Sequence, residues 1–486
     1  MSEGCTIIDQ TAMEKCRERK VCMLDQRTVQ DVLNAALSTG GDLAELFVEN
    51  TENNTVNMIN GLVEKANWGI EYGCGIRIIC GHNAIYAYTN RLERSNLIKV
   101  AQEAAQAAAV LKNSGKIIEA SPLSKIFWEQ IHPITIMPNT VAKKAIVDHL
   151  RTASESAYAY DKLVTQTRCS YASVIQDVLI ANSKGLWAED RRVRTRATVS
   201  AVASSENEKQ TGVRSPGASK GFEFLDSLDM AFLAKEAAHT AVTMLKADYC
   251  PGGRMPVVID NEFGGVIFHE ACAHSLEATS VAKKASVFTD RLGEQIASPL
   301  VTAIDDGTMP NEWGSVHIDD EGTPTQRKVL IEKGILKSYM VDYLNGLKMD
   351  MPSTGSSRRE SYKFAPTSRM TNTYIANGES TPEEVIADTE YGLYAKKLGG
   401  GSVQPATGEF NFAVDEGYII RNGKIAEPVR GATLIGKGAE ILPLIDKVAN
   451  NMAQAPGVCG SISGAVPTNV GQPMIRVKEM TVGGRS

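Results

Sequence analysis

Nowhere in the 486-residue chain do 18 apolar residues run consecutively, so no membrane-spanning helix is expected. Residues 1–27 carry charges throughout and hold no apolar core run, so no signal peptide is expected. Nine cysteines, an odd number, are scattered from Cys5 to Cys459 without one CxxC pair. That excludes a disulfide framework and fits a reducing compartment. Together these absences point to the cytoplasm. Positive charge is also in deficit, with 51 Lys and Arg against 57 Asp and Glu. A net charge of −6 repels phosphate backbones, so general nucleic-acid binding is not expected. One basic cluster stands out: Arg191, Arg192, Arg194 and Arg196, alternating with Val193, Thr195 and Ala197. It reads as the solvated face of a strand.

The length and the 43% hydrophobic content allow two or three domains with buried cores. Residues 1–25 show no period and read as an extension. A helix is predicted over 27–38, ended by Gly40 and Gly41. Strand patterns at 56–59 and 62–65 flank Asn60-Gly61, a strong hairpin signal, and strands continue through 69–80 and 83–89. Ser95 is placed to cap an alanine-rich helix over 96–112. Further helices are predicted over 141–158 and 228–247, with strands over 162–203 turning at 182–185. Pro251-Gly252-Gly253 then breaks the chain, followed by a buried strand at 255–259 and mostly short strands separated by glycine-rich turns. The expected architecture is α+β. A mixed domain with helices on a sheet (26–250) precedes a β-rich domain (251–486) that carries a metal-site helix.

The chemistry concentrates between Asn261 and Glu277. The chain has seven histidines, and His269 and His274 both lie here, with Glu270 directly after the first. Zinc takes imidazole nitrogen, carboxylate oxygen and thiolate sulfur, and a hydrolytic site also needs a base, the role open to Glu270. The familiar HExxH pattern puts its histidines at i and i+4 on one helix face. Here the spacing is i and i+5, which a regular helix separates by about 140°. A local π-turn between His269 and His274 would bring them together. Alone the pattern is weak, because paired histidines also occupy helix surfaces and cores. A hydrolytic zinc needs about three protein ligands and one open position. Cys272, His317, Cys250 and Cys459 are the candidates for the third. Cys272 is nearest but sits between alanines, and Cys459 lies in a glycine-rich run that allows close backbone approach. Spacing leaves that choice open.

Six segments in order then carry a resemblance. They are Glu45-Leu-Phe-Val-Glu49 with Gly73-Cys-Gly-Ile-Arg77; His269 to His274; Asp319-Asp-Glu-Gly-Thr-Pro-Thr325; Arg358-Arg-Glu-Ser-Tyr362 with Arg369-Met-Thr-Asn-Thr-Tyr374; Gly408-Glu-Phe-Asn-Phe412 with Gly431-Ala-Thr433; and Val458-Cys-Gly460 with Thr481-Val-Gly-Gly484. From about residue 42 to 484 the chain resembles the TldD/PmbA family, also called the modulator of DNA gyrase family, on its TldD-type catalytic branch. The resemblance implies zinc held by His269, His274 and Cys459, with Glu270 activating the zinc-bound water. It implies hydrolysis of small peptides or unfolded segments, by a homodimer or a heterodimer with a PmbA/TldE-type paralogue lacking the metal motif. Cys272 is a less usual residue inside that motif and raises the question of oxidation near the metal.

Arg359, Tyr362 and Arg369 are candidate oxyanion donors or binders of a peptide carboxylate; salt bridges and tyrosine packing are the plainer alternative. A β-rich site also suits an extended peptide held by strand addition. Two rival readings stand beside the peptidase. A non-catalytic regulatory subunit that binds peptide or protein would fit the gyrase-modulator name, but has no need of Glu270. A structural zinc site would fill all four positions with protein ligands.

Overall fold

The computed structural model describes residues 24–485 apart from 112–116, 129, 405 and 406. The extension expected over 1–25 therefore lies almost wholly outside the described residues. The first sheet is built on long antiparallel strands: β1 (Leu43–Ile59), β2 (Leu62–Cys80), β3 (Asn83–Thr89), β4 (Val164–Asn182) and β5 (Leu186–Ser204). Their order is β3-β2-β1-β4-β5, and short strands at Ser124–Ile126, Lys209–Arg214 and Gly217–Ala218 pair with β5. Asn60 and Gly61 close the β1–β2 hairpin with φ of 51° and 76°, the left-handed pair that a two-residue turn demands.

Four helices lie on one face of this sheet: α1 (Gln26–Ala36), α2 (Arg94–Ala109), α3 (Lys143–Tyr160) and α4 (Met230–Lys246). Asp25 caps α1 by accepting from the Thr28 amide at 2.9 Å. Ser95 does not cap α2: the helix starts two residues earlier than predicted, at Arg94 behind Glu93, whose side chain makes no capping bond. Alternation along β1 explains the layering. Ala44, Leu46 and Val48 pack under α1 and α2, while Phe47 joins Ile318 and Tyr362 from the carboxy-terminal part. Both faces are covered, so β1 is buried without interruption from Leu43 to Glu49.

The carboxy-terminal part holds a closed barrel and a six-stranded sheet. The barrel runs β6 (Gly253–Ile259), β14 (Ile475–Gly483), β11 (Thr433–Lys437), β10 (Glu409–Arg421) and β9 (Tyr391–Gln404), which returns to pair with β6. The second sheet contains β7 (Ala303–Asp306), β8 (Asn372–Ile375), β13 (Gly464–Gln472) and β12 (Ala453–Ser461), with β12 outermost. The chain is thus α+β, with helices on the first sheet and strands dominating after it.

Between the two parts runs a buried charged seam, and here the basic cluster departs from expectation. Arg192 and Arg194 are 8% and 5% exposed, not solvated. With Arg196 they occupy the sheet face that meets the carboxy-terminal part. Arg192 pairs with Asp190 at 3.0 Å and Asp320 at 2.6 Å, and Arg194 donates to the carbonyls of Trp313 and Ser315. Arg77 similarly joins Glu45 and Glu321, at 2.7 and 2.6 Å. Alternation placed these arginines on one face; the docking of a second layer buried it.

Candidate metal centre

The motif begins in a short helical turn at Glu262–Gly265, which leads into α5 (Val266–Ala271). A Cβ on Gly265 would lie 2.4 Å from the Gly471 backbone, so glycine lets α5 sit directly on β13. All residues of α5 except Glu270 are buried. The expected π-turn does not form. Cys272 donates to Phe268 at 3.0 Å in ordinary helical spacing, then leaves the helix at φ −132°, ψ −53°. A tighter turn over Ala273–Leu276 follows, with Ser275 donating to Cys272 at 2.9 Å. The helix breaks and restarts rather than widening. That reset absorbs the angular mismatch of the i, i+5 spacing, and the imidazoles meet with centroids 5.0 Å apart and planes at 86°.

Cys459, on β12, completes the cluster from 190 residues away. Its Sγ lies 3.3 Å from Nε2 of His269 and 3.3 Å from Nε2 of His274. The three ligand atoms all lie within 4.8 Å of one another, and no fourth His, Cys, Asp or Glu joins them among the described residues. Ligands bound at about 2.0–2.3 Å on tetrahedral corners stand about 3.5 Å apart, so the spacing and the two-nitrogen, one-sulfur donor set fit a zinc ion. Burial raises the Cys459 thiol, but the charge of His269 and hydrogen bonds from both imidazoles overcome it and hold the thiol well below its ordinary range. Burial lowers His274, yet the Glu277 carboxylate and the Cys459 sulfur prevail and hold the imidazole well above its usual value.

The outward ring nitrogens are tied down. His269 Nδ1 is 3.1 Å from Thr373 Oγ1, whose own hydroxyl is 3.3 Å from the Asn469 carbonyl. His274 Nδ1 is 3.3 Å from Glu277 Oε2. If the Thr373 proton goes to Asn469, each Nδ1 carries its hydrogen outward, and each Nε2 is the nitrogen left to ligate a metal once it gives up the proton it shares with Cys459. The sequence reading assigned no role to Glu277 or Thr373. Glu277 follows His274 by three residues, a spacing that places it within reach; nothing local advertises Thr373. Glu270 sits at the rim, its side chain 24% exposed and Oε2 3.6 Å from His274 Nε2.

The remaining candidates scatter. Cys272 is fully buried beside the motif, and burial pushes its thiol up. Cys250 packs in the barrel, its thiol pushed up to about 11 by burial. His317 lies in the seam, accepting from the Ile131 amide at 2.8 Å and facing Asp190 at 3.0 Å. Arg369 is fully buried behind Cys459. It donates to the Cys459 carbonyl, to Ser463 Oγ at 2.9 Å and to the Gly464 carbonyl at 2.8 Å. Arg359 and Tyr362 lie against the first sheet. Arg359 pairs with Glu45 at 2.9 Å over the Phe47 ring, and the Tyr362 ring covers Gly73, where a Cβ would approach it to 2.3 Å.

Comparison with known proteins bears on this arrangement. Family models described as the PmbA/TldA metallopeptidase domain 1, central domain and C-terminal domain match residues 44–108, 137–245 and 252–484. A Haemophilus influenzae protein named metalloprotease TldD homolog is 36% identical over 473 residues, covering 95% of this chain and 97% of that one. A Saccharolobus solfataricus protein named zinc metalloprotease TldD homolog is 31% identical over 244 residues, 50% of this chain and 54% of its own length. Among solved structures, TldE from Thermococcus kodakarensis superimposes with a TM-score of 0.75 at 17% identity, covering 94% of this chain and 100% of that one. A Thermotoga maritima protein described as a DNA gyrase modulator gives 0.76 at 21%, covering 94% and 99%. At these identities the two structures speak to the fold alone.

Proposed function

The chain belongs to the PmbA/TldD metallopeptidase family, and from that premise we propose a zinc-dependent peptidase that hydrolyses peptide bonds in small peptides or unfolded segments. The observation that carries this reading is the placement of Cys459 Sγ at 3.3 Å from both imidazoles of the motif. His269, His274 and Cys459 would hold the zinc, which when bound acts as a Lewis acid and makes water a nucleophile near neutral pH. Three ligands without a fourth match a hydrolytic site better than a structural one.

The rest is the work of the protein's own groups. Glu270 is a carboxylate at the rim, where it can take the proton of the attacking water and return it to the leaving amine. Glu277 and Thr373 hold the rings in the tautomer that aims Nε2 inward. Arg369 fixes the backbone of Cys459, a positioning role rather than contact with substrate. Arg359 and Tyr362 are spent on the first sheet, so their role in binding peptide finds no support in their contacts. Strand addition along β12 meets an obstacle as well: the carbonyls of Gly457 and Cys459 already accept from Trp313 Nε1 and Arg369.

The reading extends to a cytoplasmic protein that works as a homodimer or with a TldE-type paralogue. The six described cysteines, all buried and none in a disulfide, suit a reducing compartment. No helix among the described residues is long and apolar enough to cross a membrane. From Leu62 to Tyr72, β2 pairs with β1 alone among the described residues and exposes Leu62, Trp68, Ile70 and Tyr72. Such an apolar edge calls for a cover, which a partner subunit would supply.

Elemental analysis and peptide turnover on three proteins test the proposal. Wild type is expected to hold about one zinc per chain and to cleave an unfolded reporter peptide, alone or with the paralogue. Cys459→Ala should lose both properties. Glu270→Gln should keep the zinc and lose about 10²- to 10⁴-fold in turnover. Full turnover in Glu270→Gln would remove Glu270 from the reaction, and zinc-loaded wild type that cleaves no peptide, alone or with the paralogue, would return the balance to a regulatory binding subunit.

A further inference from the structure

The buried arginines of the seam are not all matched by acids. Arg192 has Asp190 and Asp320, and Arg359 has Glu45. Arg194 and Arg358, 5% and 4% exposed, have no carboxylate within ion-pair distance among the described residues. Arg194 donates only to the Trp313 and Ser315 carbonyls, and Arg358 only to that of Met370. Each guanidinium carries five donors, so both keep hydrogen-bonding capacity in reserve.

Both arginines line one cleft of about 280 Å³ between the first sheet and the carboxy-terminal part, with Trp313 and Pro467 in its wall. The acids on that wall are engaged elsewhere. Glu49 accepts from the Tyr362 amide and Gln176, Glu71 pairs with Lys363, Glu360 accepts from the Ala465 amide, and Asp320 is paired with Arg192 and accepts from the Arg359 amide. Burial pushes the Arg194 guanidinium down to about 9, and the charges of Arg358 and Arg192 add to the effect, only partly opposed by Asp190 and Asp320. Arginine nonetheless stays protonated in proteins. Two buried, mutually repelling cations facing this cleft are costly as they stand, and a bound anion would offset that cost.

We propose that this cleft is a binding site for a small oxyanion group, a carboxylate or a phosphate, gripped between the guanidinium groups of Arg194 and Arg358. The planar forks suit the paired oxygens of either group. The cleft lies on the far side of β12 and β13 from the metal ligands. Cys459 and its cross-strand partner Val466 face α5, whereas Ala465 and Pro467, the neighbours of Val466, face the cleft. The proposal therefore stands whether or not the chain is a peptidase.

The test is a titration of the full-length protein with sodium phosphate, with sodium succinate, and with a short peptide in free-acid and C-terminal amide forms. Ionic strength is held constant with chloride, and binding is read by calorimetry and by tryptophan fluorescence, to which Trp313 contributes. Saturable binding with Kd on the order of 1 mM or tighter is expected for at least one probe, and the same binding in the metal-free Cys459→Ala variant. Preference for phosphate would identify a free anion as the ligand; binding of the acid peptide but not its amide would identify a chain terminus. Arg358→Gln and Arg194→Gln, checked for folding by circular dichroism, should each weaken binding about ten-fold or more. Arg191→Gln, on the opposite face of β5, should not. Absence of saturable binding by wild type, or loss of binding in Cys459→Ala, overturns the proposal without recourse to the arginine variants. So does unchanged binding in folded Arg194→Gln and Arg358→Gln.

Discussion

Around Cys459, three donors of one kind converge. Two imidazole nitrogens face one sulfur, and each ring is held from behind by Thr373 or Glu277. Around Arg192 and Arg77, by contrast, opposite charges alternate: Asp190, Arg192 and Asp320 form one string, and Glu45, Arg77 and Glu321 another. Both regions are buried and dense in ionisable groups. The pocket gathers two nitrogens and a sulfur with only protons to share among them, a donor set that fits a metal. The seam satisfies itself, the signature of a structural joint, except at Arg194 and Arg358, where the same test exposes an unanswered charge. Burial of ionisable groups does not distinguish the two; the sign of what converges does.

Three measurements sharpen or break this contrast. The largest effect is expected from Arg77→Met, which leaves Glu45 and Glu321 without their shared partner. A loss of about 3–5 kcal/mol in urea unfolding is expected, with zinc content per folded chain unchanged. Loss of zinc in a folded Arg77→Met protein would show that seam and pocket are coupled.

Next comes acid. His132 is pushed down to about 3 by burial, with the nearby charges of His317 and Arg194 adding to it. Between its ordinary value of 6.5 and about 3, the unfolded chain binds a proton that the folded chain refuses, so stability falls as pH falls through that window. Asp190 acts in the same direction below 3.8, because His317 and Arg192 overcome its burial and hold it at about 2. Glu321, held up by burial, has the opposite slope, so the test is a difference between proteins. His132→Asn should lose less stability than wild type between pH 7 and pH 4, by on the order of 3 kcal/mol. Equal losses would remove His132 from the acid response of the seam.

The smallest effect belongs to the pocket. Glu277→Gln keeps the shape and removes the charge behind His274, and should weaken zinc binding about 10- to 100-fold in a chelator competition. Stability of the metal-free chain should change little by comparison. Unchanged zinc affinity would mean that the orientation of His274 comes from packing alone.

Much of the local structure is legible in the residues. Asn60-Gly61 marks its turn, the 182–185 turn separates β4 from β5, and each predicted helix lies within a few residues of its place. The start of α2 misleads, because Ser95 resembles a cap and the helix begins without one. The restart at Cys272 was not legible: five-residue spacing requires some irregularity, and a π-turn and a break satisfy it equally well until neighbours choose. Here Gly265 against Gly471 and Gly438 against the Ala271 carbonyl fix both ends of α5. The arginines of β5 misled for a related reason. Alternation reports that residues share a face and is silent on what lies opposite it.

The sequence by itself determined the strands, turns and helices, the paired histidines with their glutamate, and, through family likeness, the expectation that Cys459 completes the set. Only the tertiary structure decided that Cys459 stands 3.3 Å from two imidazoles nearly 190 residues away, that Thr373 and Glu277 hold those rings, and that Arg194 and Arg358 line one cleft with no carboxylate in ion-pair distance of either among the described residues. The physical reason is range. Backbone preference and side-chain period act over a few residues, whereas ligand convergence and charge burial depend on which layers pack together, and layers are brought together by the whole chain.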